Sequence, residues 1–259
     1  MSQFLRTAAL MLLVLSRAPA FAAVPPTMPM PSKAQGGEFE NQLSSKRFKH
    51  SLSGLYAIST TEGSVYQPYD DFDILYSKSH YAQAELETLC KSTALLTSTE
   101  AYFAGVKSAH RAKEKVNTEL DGETARITDL ARATIVANDV SRLMDAYEAL
   151  SKEATIVKVK NRFKTPAPSG YRDLNILVEL PKTGIIAEVQ FHLKAIADVK
   201  NGAEHELYEQ VQHIERLAKR EQRSYTSLEA AKINRIRSES KNLYQQAWQP
   251  YITTHIQAA

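Results

Sequence analysis

The sequence predicts an α/β (α+β) fold in which helices flank one mixed β-sheet. Three observations predict it. Four short runs in the middle of the chain, 127–137, 155–163, 171–180 and 185–193, are rich in β-branched or alternating apolar residues and read as strands. Helical apolar periodicity brackets these runs and fills the gap between the first two. Pro181-Lys182-Thr183-Gly184 is a tight turn that makes the last two strands antiparallel neighbours, so helix and strand alternate in the order of a mixed sheet.

The N-terminus reads as a signal peptide over 1–23. Arg6 supplies the positive charge, 8–15 is an unbroken apolar run, and Ala20-Phe21-Ala22 offers small residues for cleavage. The run is too short to span a bilayer. Residues 24–45 follow as a flexible linker rich in Pro, Ser and Gly. The formal charge of +3 overstates the basicity of the remainder. Without Arg6 and Arg17, the 32 basic residues become 30, against 29 acidic ones. Such a balance gives no support to wholesale attraction to nucleic acid or membrane.

Residues 38–65 are polar and weakly patterned. A helix is expected over 71–96, with Phe72, Leu75, Leu86 and Leu89 on its apolar stripe. Cys90, the sole cysteine, belongs to that helix and reads as a packing thiol, so neither a disulfide framework nor a cysteine metal cluster is available. A second helix is expected over 100–116, capped by Ser98 or Thr99. A third runs over 140–150 between the first two strands, and the chain is helical again from 203 to 251.

Period-two reading of the strands divides the sheet into an apolar and a mixed polar face. Glu188, Gln190 and His192 share one face, opposite Val189, Phe191 and Leu193. Tyr171, Asp173 and Asn175 share a face, and Lys158, Lys160 and Arg162 alternate with Val157 and Val159. A solvated sheet face would produce the same alternation. The preceding helix adds a second signal. Lys107, Arg111 and Lys115 are spaced to stack three cations on one helical face, which calls for anions, either Glu114 and Glu119 or a triphosphate.

Ile127-Thr128-Asp129-Leu130, Val159-Lys160-Asn161-Arg162-Phe163, Ser169-Gly170-Tyr171-Arg172-Asp173-Leu174-Asn175, Glu188-Val189-Gln190 and His205-Glu206-Leu207-Tyr208 come in the order and spacing of RelA/SpoT synthetase domains. The chain resembles that family over roughly 71–215. The resemblance implies a nucleotidyltransferase-like fold with a synthetase domain over 46–215 and a C-terminal helical extension over 216–259. It also implies transfer of pyrophosphate from ATP to the 3′-hydroxyl of a nucleotide, with GDP, GTP or an adenine nucleotide as acceptor.

By position, Asp129 and Glu188 look like the family's catalytic, Mg2+-binding carboxylates. Lys107 and Lys115 match lysines on the donor phosphates, and Tyr171 resembles the tyrosine on which the acceptor base stacks. Arg111, Arg132, Lys160, Arg162, Asn175, Gln190 and His205 complete the substrate-binding set. The chemistry is coherent, because pyrophosphoryl transfer is catalysed mainly by charge neutralisation and positioning.

The sequence also departs from the family. Gly105 and Ala167 stand where basic residues are usual, Arg111 replaces a serine, Asn175 a histidine, and His192-Leu193 an Arg-Thr pair. The chain contains no His-Asp dipeptide, so the resemblance excludes the hydrolase half of long members. A Gly-rich phosphate loop is absent as well. Three readings stand: an exported synthetase acting as toxin or effector, a pyrophosphokinase acting on a tRNA 3′ end, and a catalytically inactive nucleotide-binding module. The leader predicts that the mature protein begins near Ala23, which intact-mass measurement on protein from the native host checks; a full-length cytoplasmic product overturns it.

Overall fold

Five strands form a single sheet in the computed structural model of the protein, which describes residues 44–253. They are β1 (Glu100–Phe103), β2 (Arg132–Ala137), β3 (Thr155–Asn161), β4 (Leu174–Glu179) and β5 (Ile186–Leu193), in the spatial order β1-β2-β5-β4-β3. β2 and β5 pair in parallel and every other pairing is antiparallel, so the sheet is mixed as expected. The predicted turn between β4 and β5 closes with the Gly184 amide donating to the Leu180 carbonyl at 2.8 Å. Gly184 has φ +66°, a conformation that favours glycine.

The helices are α1 (44–49), α2 (Leu52–Ala57), α3 (Phe72–Thr97), α4 (Ala109–Glu119), α5 (Val140–Glu153), α6 (Lys194–Asn201), α7 (His205–Arg220) and α8 (Ser227–Thr253). Side-chain caps define several starts. Asp71 accepts from the Ile74 amide at 2.9 Å, and Asp139 accepts from Arg142 at the same distance, each filling a donor that the first turn leaves open. Among the described residues no helix is long and apolar enough to cross a membrane. The expected signal peptide, and the expected linker up to residue 43, lie outside the described residues.

Ile135, Ile176, Val178, Val189 and Phe191 share one core with Leu75 and Leu86 of α3 and Leu143 and Leu150 of α5. Tyr147 of α5 meets Phe191 edge to face, with ring centroids 6.2 Å apart. Cys90 is fully buried there, and burial pushes its thiol up to about 12, in keeping with a packing role.

Several element boundaries differ from expectation, each for a local reason. The helix expected over 100–116 is β1 followed by α4. Tyr102 and Phe103 instead pair with Thr134 and Ala133, and Gly105 at φ +68° turns the chain. The cap is Ser108, whose hydroxyl accepts from Arg111, while the Thr99 amide donates back to Ala94 and closes α3. β2 begins only at Arg132, and β4 only at Leu174, so Asp129, Tyr171 and Asp173 all sit in loops leading into strands. β3 ends at Asn161, whose buried amide donates to the carbonyls of Leu55 and Ile58. The helical stretch expected over 203–251 is two helices, α7 and α8, separated near Gln222 with φ 51°, and α6 precedes it.

The expected extension contributes to the main core. α7 runs through position 215, and Tyr244 and Trp248 of α8 pack in the same cluster as the sheet. Trp248 lies 5.5 Å from the Phe163 ring, and a Cβ added at Gly170 would come within 3.1 Å of the Lys241 backbone. Trp248→Ala should therefore cost about 3–5 kcal/mol of stability by urea unfolding; a loss below about 1 kcal/mol would show that α8 merely rests on a finished core.

Candidate active site

Asp129 lies in the loop before β2, and two lysines converge on it. Its Oδ2 is 2.9 Å from Lys107 Nζ and 2.8 Å from Lys115 Nζ. Its other oxygen, Oδ1, is buried and has no hydrogen-bond partner. Burial alone would raise this carboxyl, but Lys115 and Lys107 together outweigh burial and hold it below the usual range. Lys115 projects from α4. Lys107 precedes the helix and is held by its amide, which donates to the Leu130 carbonyl. The three-cation helical stripe is thus corrected: Lys107 reaches the site from a loop, and Arg111 is exposed with no side-chain partner among the described residues.

Glu188 stands on β5 beside Arg132 of β2. Asn175 Nδ2 donates to its Oε1 at 2.7 Å, leaving Oε2 free. Glu188 pairs with neither Lys158 nor Arg162, because Lys158 donates to the Gly63 carbonyl and Arg162 binds Asp173 at 2.6 Å. No group of three or more His, Cys, Asp or Glu side chains among the described residues is placed to hold a metal ion alone. The unsatisfied Asp129 Oδ1 and the free Glu188 oxygen nevertheless suit a hard divalent cation that draws its remaining ligands from phosphate and water.

Deeper on the same face lies a buried network. Arg162 donates to Asp173 Oδ1, and the Tyr171 hydroxyl donates to Asp173 Oδ2 at 2.9 Å. The same hydroxyl is 2.6 Å from His192 Nε2. Since the phenol proton goes to the carboxylate, His192 Nε2 carries the proton of that contact. Nδ1 is then a bare acceptor, buried and unpartnered. Burial, followed by the charges of Lys200 and Arg162, lowers the His192 pKa to about 3 and keeps the ring neutral. Burial and Asp173 push Tyr171 well up. The Tyr171 ring is packed between Arg162, 5.7 Å above it, and the edges of His192 and Tyr244. Tyr171 is half-buried, and its hydroxyl braces the network.

No family model matches the chain. It is similar to the (p)ppApp synthetase toxin Tas1 of Pseudomonas aeruginosa, at 31% identity over 119 residues, and to the GTP pyrophosphokinase YwaC of Bacillus subtilis, at 31% over 90 residues. These matches take in 46% and 32% of this chain but span only 26% and 42% of the two relatives. Among solved structures, the small alarmone synthetase 2 of Bacillus subtilis superposes with a TM-score of 0.52 at 20% identity, covering 71% of this chain and 96% of that one. The type VI effector Tas1, solved with its immunity protein, gives 0.51 at 23%, covering 69% and 96%. The described residues have the fold of a RelA/SpoT-like synthetase domain.

On this synthetase fold the remaining candidates are spread unevenly. Arg132 has a buried Nε without a partner, and Gln190 accepts from Lys200 at 3.5 Å. Lys160 is exposed on β3 opposite Asn175. His205 is exposed at the start of α7 and pairs with Glu209 at 3.4 Å, touching none of the other candidates. Sequence reasoning missed Lys200, which burial lowers while Asp173 and Glu188 pull it back up. A signal existed: with Ile196 and Ala197 it falls on the buried stripe of α6.

The neutral His192 predicts a pH dependence of stability. The unfolded chain accepts a proton below about 6.5 that the native state refuses until about 3, so stability falls as pH drops through that window. His192→Gln should flatten the urea-unfolding profile between about pH 6 and pH 4.5 by about 1.4 kcal/mol per pH unit. Parallel profiles for the two proteins would show that the imidazole titrates normally.

Proposed function

We propose that this chain transfers pyrophosphate from ATP to the 3′-hydroxyl of a purine nucleotide. The observation that carries the reading is Asp129, bridged by Lys107 and Lys115 with one oxygen unsatisfied, in the loop that enters the parallel β2–β5 pair near Glu188. Similarity to two relatives named for nucleotide pyrophosphate transfer supports it. In the reaction the acceptor 3′-oxygen attacks the β-phosphorus of ATP, the bond from that phosphorus to the α–β bridging oxygen breaks, and AMP leaves.

Lys107 and Lys115 exchange Asp129 for the triphosphate and hold its charge. Glu188, oriented by Asn175, receives the acceptor's hydroxyl proton on its carboxylate. Asp129 and Glu188 would hold a divalent cation, which we propose is Mg2+, and such a cation would supply neutralisation of charge on the transferring group. Arg132 and Lys200, which have no carboxylate partner among the described residues, add positive charge beside Glu188 and Gln190.

An RNA acceptor calls for a basic track along Lys158, Lys160, Arg162 and Lys164, but Lys158 and Arg162 are engaged within the protein. Export as a toxin or effector belongs to the proposal. It rests on the 1–23 leader and on similarity to a protein described as a type VI effector. Action inside another cell reconciles export with the need for ATP.

Purified protein incubated with labelled ATP, Mg2+ and each purine nucleotide, with tRNA in parallel, should label a nucleotide. Glu188→Gln and Asp129→Asn should lower turnover by about 100-fold or more with folding nearly unchanged. Wild-type rates in Glu188→Gln would remove the catalytic reading.

A further inference from the structure

Asp129 and Glu188 belong to neighbouring chain segments, yet the sheet does not join those segments where the first carboxylate sits. The β2–β5 ladder begins at Arg132 beside Glu188, with one preceding bond from the Glu188 amide to the Ala131 carbonyl. Upstream of that point 127–130 is a loop, and no ladder bond ties it to the start of β5. A single buried side chain makes the missing connection. Gln67 Nε2 donates to the carbonyls of Ile127 and Ile186, both at 2.9 Å, and its Oε1 accepts from the Ile186 amide at 2.9 Å. Ile127 lies two residues before Asp129, and Ile186 lies two residues before Glu188.

This amide is itself fixed. Gln67 is only 5% exposed, and its backbone amide donates to the Ala125 carbonyl at 2.7 Å. The segment carrying it is pinned at Thr61, whose amide and hydroxyl bond both backbone groups of Val159 on the edge strand β3. All three side-chain bonds of Gln67 serve backbone groups that flank the two carboxylates. A buried amide satisfied in this way specifies one geometry, because any shift leaves a desolvated carbonyl or amide unpaired.

We infer that Gln67 is a positioning residue for the two-carboxylate site, setting the separation of the Asp129 and Glu188 backbones and so the span across which they share a divalent cation. The inference rests on the pyrophosphate-transfer reading. Gln67 touches no substrate; it acts through Ile127 and Ile186.

The test compares Gln67→Met, which keeps the volume and deletes the three bonds, with Asn161→Leu. Asn161 is also a buried amide that holds two carbonyls, those of Leu55 and Ile58, but none of the groups it bonds belongs to the segments carrying the two carboxylates. Manganous ion in the presence of a non-hydrolysable ATP analogue is the probe, with free Mn2+ followed by electron paramagnetic resonance. Mn2+ affinity of folded Gln67→Met should fall about tenfold or more, and kcat should fall while KM for ATP stays within about twofold. Asn161→Leu should lose stability yet keep Mn2+ affinity within about twofold of the wild type.

Wild-type Mn2+ affinity in folded Gln67→Met overturns the inference, and so does an equal loss in Asn161→Leu. If Gln67→Met does not fold, Gln67→Asn, whose shorter arm cannot reach both carbonyls, decides by the same measurement. If neither variant folds where Asn161→Leu does, Gln67 is a folding residue and the positioning role is wrong. A wild-type protein that binds no Mn2+ and transfers no pyrophosphate removes the functional reading itself, and this inference with it.

Discussion

Six residues of β2 lie in parallel beside β5, from Arg132 against Glu188 to Ala137 against Leu193. Successive side chains point to opposite faces, so this one register sorts the whole molecule. Ala133, Ile135, Val189 and Phe191 go to the core beneath α3 and α5. Arg132, Thr134, Glu188, Gln190 and His192 go to the other face. A slip of one residue would exchange the two sets and bury a carboxylate and an amide without partners, which is why the register is so strongly specified. Helices α6 and α8 then close over one end of the polar face, where Lys200 reaches Gln190 and Tyr244 meets Tyr171.

The polar face changes character along its length. At the closed end burial dominates. Arg162 and Asp173 pair there, while Tyr171 and His192 stay neutral because a charge on either would be desolvated. At the open end Lys107, Lys115 and Arg132 surround two carboxylates, and Arg132 has no carboxylate partner among the described residues. An excess of cations around a small acidic centre suits a ligand that brings several negative charges and shares a metal, as a polyphosphate does. The rigid closed end holds shape, and the open end holds unsatisfied charge.

Much of this was legible before any coordinates. The mixed sheet, the antiparallel β4–β5 turn and the split into apolar and polar faces all follow from period-two alternation and turn residues, which are local properties. Asp129, Glu188, Lys107 and Lys115 were singled out as candidates by the resemblance of their motifs to RelA/SpoT synthetase domains. β1 was not, because four residues ending in Tyr102-Phe103 fit a helix stripe as well as a strand, and only pairing with β2 decides between them.

The sequence alone determined which residue types were available to each face, because alternation and turn chemistry act between near neighbours in the chain. The tertiary structure decided which of those residues meet. Lys107 joins Lys115 on Asp129 from a loop and not from a shared helical face, while Arg111, at the same spacing, is left in solvent. Tyr171 became a half-buried brace once α8 and His192 packed against it. Gln67, in a stretch with no periodic pattern, stitches chain segments 60 and 119 residues away. Contacts at such separations depend on the folded path of the whole chain, and no local propensity records them.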